Sequence, residues 1–317
     1  MIKSNEKILI FGNGQMAGFY KEHFDKINVN SQISEANILF PEEIKKAIEK
    51  YKPTVVINTA AKTNLEWCNN NKLEAFNVNV IGANNIAEIC DEKELYFIHF
   101  SSGCIMASED ENDLKDEKAS PHPISYYSWT KVWAENLLMF KKSNKFKCLI
   151  LRPRQPVSAK ISYKNMLIKF LTFSKFIDTP NSGTVLEDLM VWSEKIIEER
   201  ITGILNVANK GWITPYNIGL LLKKHVLPSL PVNKIEKSEL NTLTPEKRVD
   251  TVLDVTKLES IVGPVKNYSE RLEEIIIDLG KNFKTQDKNM IKVELEKTLE
   301  FTKTRTVPNE VWTELIQ

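Results

Sequence analysis

The chain has 317 residues, with 43 lysines and arginines against 42 aspartates and glutamates, and 42% of it is hydrophobic. That length buries a large core and fits one big α/β unit or two intergrown lobes. Charges this evenly matched set up no overall field for nucleic acid or an anionic membrane, so a small soluble substrate is the expected partner.

Residues 1–7 lack the apolar stretch and small-residue cleavage site of a secretory leader, and no apolar run approaches the roughly 18 residues of a membrane span. A cytoplasmic protein is expected. Cys68, Cys90, Cys104 and Cys148 show no Cys-x-x-Cys spacing. They read as reduced thiols, three of them filling space, rather than as a disulfide framework or a metal site.

In chain order, residues 7–11 form an apolar strand, followed by a glycine-rich turn at 12–18 and a helix running toward Asp25. Residues 41–51 read as a helix with proline in its first turn, 54–58 as a buried strand of β-branched residues, and about 73–90 as another helix. A strand at 96–101 leads to Ser102-Gly103-Cys104, a polar loop covers 108–123, a helix runs from Tyr127 to about Lys141, and 147–152 is a strand. Near-continuous apolar strands alternating with helices predict a doubly wound parallel sheet of Rossmann type, with ligands at the carboxyl ends of its strands.

Beyond Arg152 the pattern loosens into proline-bearing loops near Pro153, Pro156, Pro180, Pro215, Pro228 and Pro231, with a strand at 203–208. The expected organisation is a dinucleotide-binding domain at 1–152, an intergrown substrate lobe at 153–280 and a charged extension at 281–317. Ile291, Leu295 and Leu299 recur every fourth residue, so the extension contains an amphipathic helix. Docking on the body and a homodimer contact are both open as its purpose.

Gly12-x-Gly14-x-x-Ala17 between a strand and a helix fits a dinucleotide turn. The first glycine permits the tight turn, the second lets a pyrophosphate approach the backbone, and the helix N-terminus favours the anion. Gly12, Asn13, Gly14, Gln15 and Met16 are the expected cofactor contacts there. An acidic residue about 20 positions on would hold the adenosine ribose, but no carboxylate appears until Glu35, so NADPH and NADH both remain open. Tyr127 and Lys131 stand four apart, which stacks phenol and ammonium on one helix face. Ser102 at a strand end can join the phenol over one substrate oxygen. Hydride transfer builds negative charge on a carbonyl oxygen, and a hydroxyl pair beside an ammonium stabilises it; the chain reads as a carbonyl reductase.

These residues resemble the extended short-chain dehydrogenase/reductases that act on nucleotide sugars, and within them the 3,5-epimerase/4-reductases that form UDP-rhamnose and, more distantly, the dTDP-4-dehydrorhamnose reductases. The resemblance runs over residues 7–262. It is carried by Val56-Ile57-Asn58-Thr59-Ala60-Ala61-Lys62-Thr63, Glu66-Trp67-Cys68, Asn79-Val80-Ile81-Gly82, Ser102-Gly103-Cys104-Ile105 and Tyr127-Ser128-Trp129-Thr130-Lys131. Further on it includes the stretch from Leu151 to Ser158, Ile177-Asp178-Thr179-Pro180-Asn181-Ser182, and Thr202-Gly203-Ile204-Leu205-Asn206. The glycine loop departs from the family's Gly-x-x-Gly-x-x-Gly: it is one residue shorter before its second glycine and has Ala17 for the third.

The resemblance implies Tyr127 as general acid, Lys131 as the group that lowers its pKa and holds the nicotinamide ribose, and Ser102 as the group polarising the C4 carbonyl. It implies Asn58, Ala60, Ala61, Lys62 and Asn79 around the cofactor, and Ser102, Gly103, Cys104, Asn181 and Ser182 near the sugar nucleotide. Cys104 and Lys169 match the family's epimerising pair, the alternative being a spacer and a surface lysine. Arg152 and Arg154 suit a diphosphate or else structural ion pairs. His99 reads as a core histidine, His122 as a loop former, and Trp67-Cys68 as loop packing. Three functions compete. One is a bifunctional epimerase/reductase acting on a UDP- or dTDP-linked 4-keto-6-deoxyhexose, another a 4-ketoreductase alone, and the third a non-catalytic subunit on the same fold.

Overall fold

The computed structural model describes residues 2, 6–141, 145–244, 246–302, 307 and 309–316. Six strands make the central sheet: β1 (Lys7–Phe11), β2 (Asn30–Ser34), β3 (Val55–Asn58), β4 (Tyr96–Phe100), β5 (Cys148–Pro153) and β6 (Gly203–Val207). All pair in parallel, in the order β6-β5-β4-β3-β1-β2. Strands buried on both faces need apolar residues at every position, and β4 and β5 are buried throughout. β2, with its polar Asn-Ser-Gln-Ile-Ser, is tolerated because it lies at the sheet edge, half-exposed.

Helices α1 (Gln15–Lys26), α2 (Pro41–Tyr51), α3 (Leu65–Asn70), α4 (Lys72–Phe76), α5 (Ala83–Glu92) and α6 (Tyr126–Met139) belong to the first half of the chain. In the second half come α7 (Met166–Phe170), α8 (Leu186–Glu198), α9 (Pro215–His225), α10 (Lys237–Leu243), α11 (Thr256–Val262), α12 (Tyr268–Thr285), α13 (Lys288–Phe301) and α14 (Asn309–Ile316). One sheet face packs on α1, α8 and α11 through Phe19, Tyr20, Phe24, Leu189, Ile196 and Leu258. The other packs on α2, α5 and α6 through Ile44, Ile48, Ile86, Ile89 and Leu138. Tyr20 and Ser193 join α1 to α8 by a buried hydroxyl–hydroxyl bond of 2.7 Å.

The helix expected over 73–90 is present, running without a gap over 72–92, but it is not regular. Between α4 and α5, Asn77–Gly82 winds as a wider π turn. Its Asn79 reaches the loop after β3, accepting from Lys62 N at 2.7 Å and donating to Lys62 O at 2.9 Å. π turns of this kind concentrate at functional sites. Trp67 and Cys68, expected in a loop, lie on α3. Pro215, expected in a loop, opens α9 behind the Thr214 cap, where a missing N–H costs nothing.

A second core gathers Val157, Leu167, Ile168, Leu171, Ile218, Leu222, Leu272, Ile276 and Leu279 around α7, α9 and α12. The helix expected around Ile291 is α13, and α13 and α14 pack onto this core through Ile291, Leu295, Trp312 and Leu315. Among the described residues no helix is long and apolar enough to cross a membrane.

Candidate active site

The connection order of the sheet reverses between β1 and β3, and it is beyond the strands' carboxyl ends at such a reversal that doubly wound sheets bind their ligands. Gly12 follows β1 with φ +109°, a conformation L side chains rarely adopt. A Cβ on it would lie 2.7 Å from Thr59 Oγ1 and 2.8 Å from Ala60 N. The two loops therefore converge only because residue 12 is glycine. Gly14 caps α1 with open space around it, and the first turn of α1 holds no acidic residue to repel an anion. Ala17 is fully buried beneath the helix, filling the place of the family's third glycine. Asn13 is exposed, Met16 packs half-buried on the core, and the Gln15 amide nitrogen is buried with no partner among the described residues. A turn with an open backbone, a helix N-terminus and an unspent donor fits a dinucleotide pyrophosphate.

Asn58 and Asn79 work differently from expectation. Asn58 accepts from Ala60 N at 3.0 Å and donates to His99 Nδ1 at 3.2 Å, while the second donor of Asn79 goes to Thr130 Oγ1 at 2.9 Å. Their amides hold the loop carrying Ala60, Ala61 and Lys62. The Lys62 ammonium lies 4.8 Å from the Trp67 ring centre. His99 is a core residue as expected, and burial together with Lys131 holds its pKa well below the usual imidazole range. His122 donates its backbone N–H to Ile105 O, shaping the loop before α6.

α6 starts where it does because Ser125 and Ser128 form a reciprocal capping box. This start puts Tyr127 and Lys131 one turn apart on the buried face. The Lys131 ammonium donates to Phe100 O at 2.8 Å and lies 5.9 Å from the Tyr127 ring centre. Burial pushes its pKa down to about 8. The expected lowering of the Tyr127 pKa does not occur: burial dominates and raises it, so the phenol stays protonated. Ser102 caps a short turn after β4, accepting from Cys104 N at 3.2 Å and donating to Cys104 Sγ at 3.0 Å. Ser102, Cys104 and Arg154 all lie within electrostatic reach of the phenol. Burial raises the Cys104 thiol pKa against the pull of Arg154, Ser102 and Lys131.

The two arginines part company. Arg152 is a structural ion pair: Nε and Nη2 grip Glu135 on α6 at 2.9 and 2.6 Å, both side chains buried, and Nη1 donates to Glu117 O. It has no free face for a cofactor, which corrects that expectation. Arg154 donates through Nη2 to Asn181 Oδ1 and Val249 O, while its buried Nε has no partner among the described residues. Asn181 and Ser182, expected near the sugar nucleotide, are buried and spend their side chains on neighbouring segments. Asn181 holds Arg154 and binds Asp250, and the Ser182 hydroxyl joins Gly211 O to Leu253 N, each at 3.0 Å. Gly103 is buried against Leu253, so it too supports the turn from behind.

Lys169 comes from α7, on the second core, and is half-buried. Burial and nearby Arg248 lower its pKa. Arg248 was not foreseen. It is exposed at the surface, and neighbouring protein lowers its pKa. It is also within reach of Arg154. Nothing in its polar stretch Glu246-Lys247-Arg248 signals this; only the fold brings it there. Cys68, buried near both Tyr127 and Lys131, was legible only as a spacer. No cluster of metal-ligating side chains exists among the described residues.

Residues 6–175, more than half of the chain, match the family model described as the RmlD substrate binding domain. The chain belongs to this family. It is an enzyme of the short-chain dehydrogenase/reductase type that the Tyr-Lys pair and the glycine turn indicated. A bifunctional dTDP-4-dehydrorhamnose 3,5-epimerase/dTDP-4-dehydrorhamnose reductase of Arabidopsis thaliana is 28% identical over 289 residues, covering 88% of this chain and 95% of that one. A trifunctional UDP-glucose 4,6-dehydratase/UDP-4-keto-6-deoxy-D-glucose 3,5-epimerase/UDP-4-keto-L-rhamnose-reductase of the same plant is 28% identical over 294 residues, 89% of this chain but 43% of that one.

Among solved structures, the L780 UDP-rhamnose synthase from Acanthamoeba polyphaga mimivirus superposes with a TM-score of 0.79 at 20% identity, covering 86% of this chain and 99% of that one. A dTDP-4-dehydrorhamnose reductase from Bacillus anthracis, in complex with NADP, superposes with a TM-score of 0.76 at 18% identity and the same coverage. The RmlD-family chain thus shares its Rossmann-type fold with these proteins.

Proposed function

We propose that this chain reduces the C4 ketone of a UDP- or dTDP-linked 4-keto-6-deoxyhexose with NADPH or NADH, after inverting C3 and C5, to give a rhamnose-type nucleotide sugar. The observation that carries the reading is the gathering of Ser102, Cys104 and Tyr127 at the end of β4, with the Ser102 hydroxyl 3.0 Å from the Cys104 sulfur. The glycine turn, the names of the relatives and the NADP held by the Bacillus anthracis structure support the cofactor assignment.

C3 and C5 both flank the C4 carbonyl, so removing a proton from either places negative charge on the same oxygen that hydride addition charges. One oxyanion-stabilising pair therefore serves both reactions. Ser102 donates to that oxygen, and Tyr127, kept protonated by its burial, delivers the proton to the alkoxide. The bound nicotinamide supplies the hydride. Lys131 is held by Phe100 O beside the Tyr127 ring, where it orients the ribose and offsets developing charge.

Inversion needs one group that takes a proton and another that returns one on the opposite face. Cys104 sits on the β4 side and Lys169 on the second core. Burial displaces the thiol upward and the amine downward, bringing two groups of different ordinary proton affinity toward one another. Arg154 is within electrostatic reach of Cys104 and Arg248, and Arg248 of Lys169, and guanidinium groups suit a diphosphate.

The test is incubation with UDP- and dTDP-4-keto-6-deoxyglucose and NADPH in deuterated water. Deuterium at both C3 and C5 of a reduced rhamnose-type product supports both activities. Reduction without deuterium, unchanged in Cys104→Ser, leaves a 4-ketoreductase alone. No turnover and no quenching of nicotinamide fluorescence would favour a non-catalytic subunit.

A further inference from the structure

About one-eighth of this chain lies outside its match to relatives that are themselves covered over 95–99% of their length. The C-terminal helices α13 and α14 share a core cluster with α7. α7 is five residues long, too short to hold itself together, so its position is set by what packs on it. Leu167, Ile168 and Leu171 are fully buried in one cluster with Ile291, Leu295, Val307, Trp312 and Leu315. Hydrogen bonds from the C-terminal segment reach both flanks of α7. Ahead of it, Glu294 Oε2 accepts from Tyr163 N at 2.9 Å. Behind it, the buried Trp312 indole donates to Leu171 O at 3.1 Å, and Val307 N donates to Thr172 O at 3.2 Å.

We infer that the C-terminal helices are a positioning element for the active site: Trp312, through the Leu171 carbonyl, and Glu294, through the Tyr163 amide, clamp α7 from both ends and fix the reach of Lys169. Neither residue touches the substrate. Both act through α7, so loosening the clamp displaces Lys169 and leaves Ser102, Tyr127 and Lys131, which stand on β4 and α6, where they are. The clamp thus controls proton transfer at the sugar carbons separately from reduction. This inference rests on the proposed role of Lys169.

The test compares Trp312→Phe, which keeps the aromatic bulk and loses the donor, with Glu294→Ala, a half-buried site that removes the acceptor on the other flank, both in the full-length chain. In deuterated water, C3 and C5 exchange should fall about tenfold or more, since a misplacement of about 1 Å can cost about 10²-fold. Reduction of a substrate already inverted at C3 and C5 should stay within about twofold. A titration of 13C-labelled lysine, with Lys169→Met to assign the resonance, should show Lys169 moving up toward its ordinary range in both variants. Equal losses of exchange and reduction would make the clamp merely structural and overturn the inference. So would an unmoved Lys169 titration. If the unsubstituted enzyme shows no exchange, the epimerase reading fails by itself, and the Lys169 titration still decides whether Trp312 and Glu294 position α7.

Discussion

Replacing Glu135 by leucine should separate a structural from a ligand-binding role for Arg152. Both carboxylate oxygens of Glu135 are spent on Arg152, at 2.9 and 2.6 Å, and the side chains are 5% and 3% exposed. Removing the carboxylate leaves a buried guanidinium whose remaining partner is Glu117 O at 3.2 Å. Breaking one side of a buried pair costs about 3–5 kcal/mol. With an unfolding entropy of about 2.1 cal/mol/K per residue, a 317-residue chain loses roughly 4–8 °C in Tm, measurable by calorimetry. Adding Arg152→Met replaces the ion pair by an apolar contact and should recover most of the loss, with the KM for the nicotinamide cofactor within about twofold of the starting enzyme. A single variant that melts within about 1 °C of the parent would refute the reasoning. A double variant whose cofactor KM rises tenfold would do the same, since Arg152 would then be holding the ligand.

Gly12→Ala forces a Cβ to 2.7 Å from Thr59 Oγ1 at a backbone φ of +109°, so cofactor affinity, read by nicotinamide fluorescence titration, should fall by about tenfold or more. Tyr127→Phe should lower kcat about 10²–10⁴-fold while leaving cofactor binding intact, as expected for loss of a general acid; a smaller change would move the proton donor elsewhere. Lys131 must be charged to act, so activity should decline as pH rises through about 8. Its folded-state pKa lies below the ordinary 10.5, so between the two values the unfolded chain binds more protons and this group's contribution to stability grows with pH. Activity should therefore fall even as this group's own contribution to stability rises, and Lys131→Arg should shift the activity limb upward.

Much of the framework was readable from local pattern. β1 and β3 are apolar runs, and Pro41 and the spacing of Ile44 and Ile48 fix α2. β2 was not, because Asn30–Ser34 has no apolar run and becomes a strand only by pairing with β1. α8 carries helical spacing at Leu186, Leu189, Met190, Ser193 and Ile196, drowned by the prolines on either side. At the site, Tyr127 and Lys131 were legible because their relation is local, one helical turn. Arg152, Asn181 and Ser182 were not, because their partners Glu135, Arg154 and Gly211 come from distant segments. Nothing in a single stretch of residues says which of two arginines will meet a carboxylate.

The π turn at Asn77–Gly82 carries a consequence for how this helix tolerates change. One extra residue in a turn rotates everything downstream by about 100°. α5 can therefore aim Ile86, Ile89 and Cys90 at the sheet while Asn79 aims at the loop after β3, two directions that one regular helix could not serve. Deleting a single residue between 77 and 82 would give a better helix and a worse enzyme: either the amide leaves Lys62 or the apolar face leaves the core. The irregularity acts as a phase adjuster between the part of the helix that folds the protein and the part that builds its site.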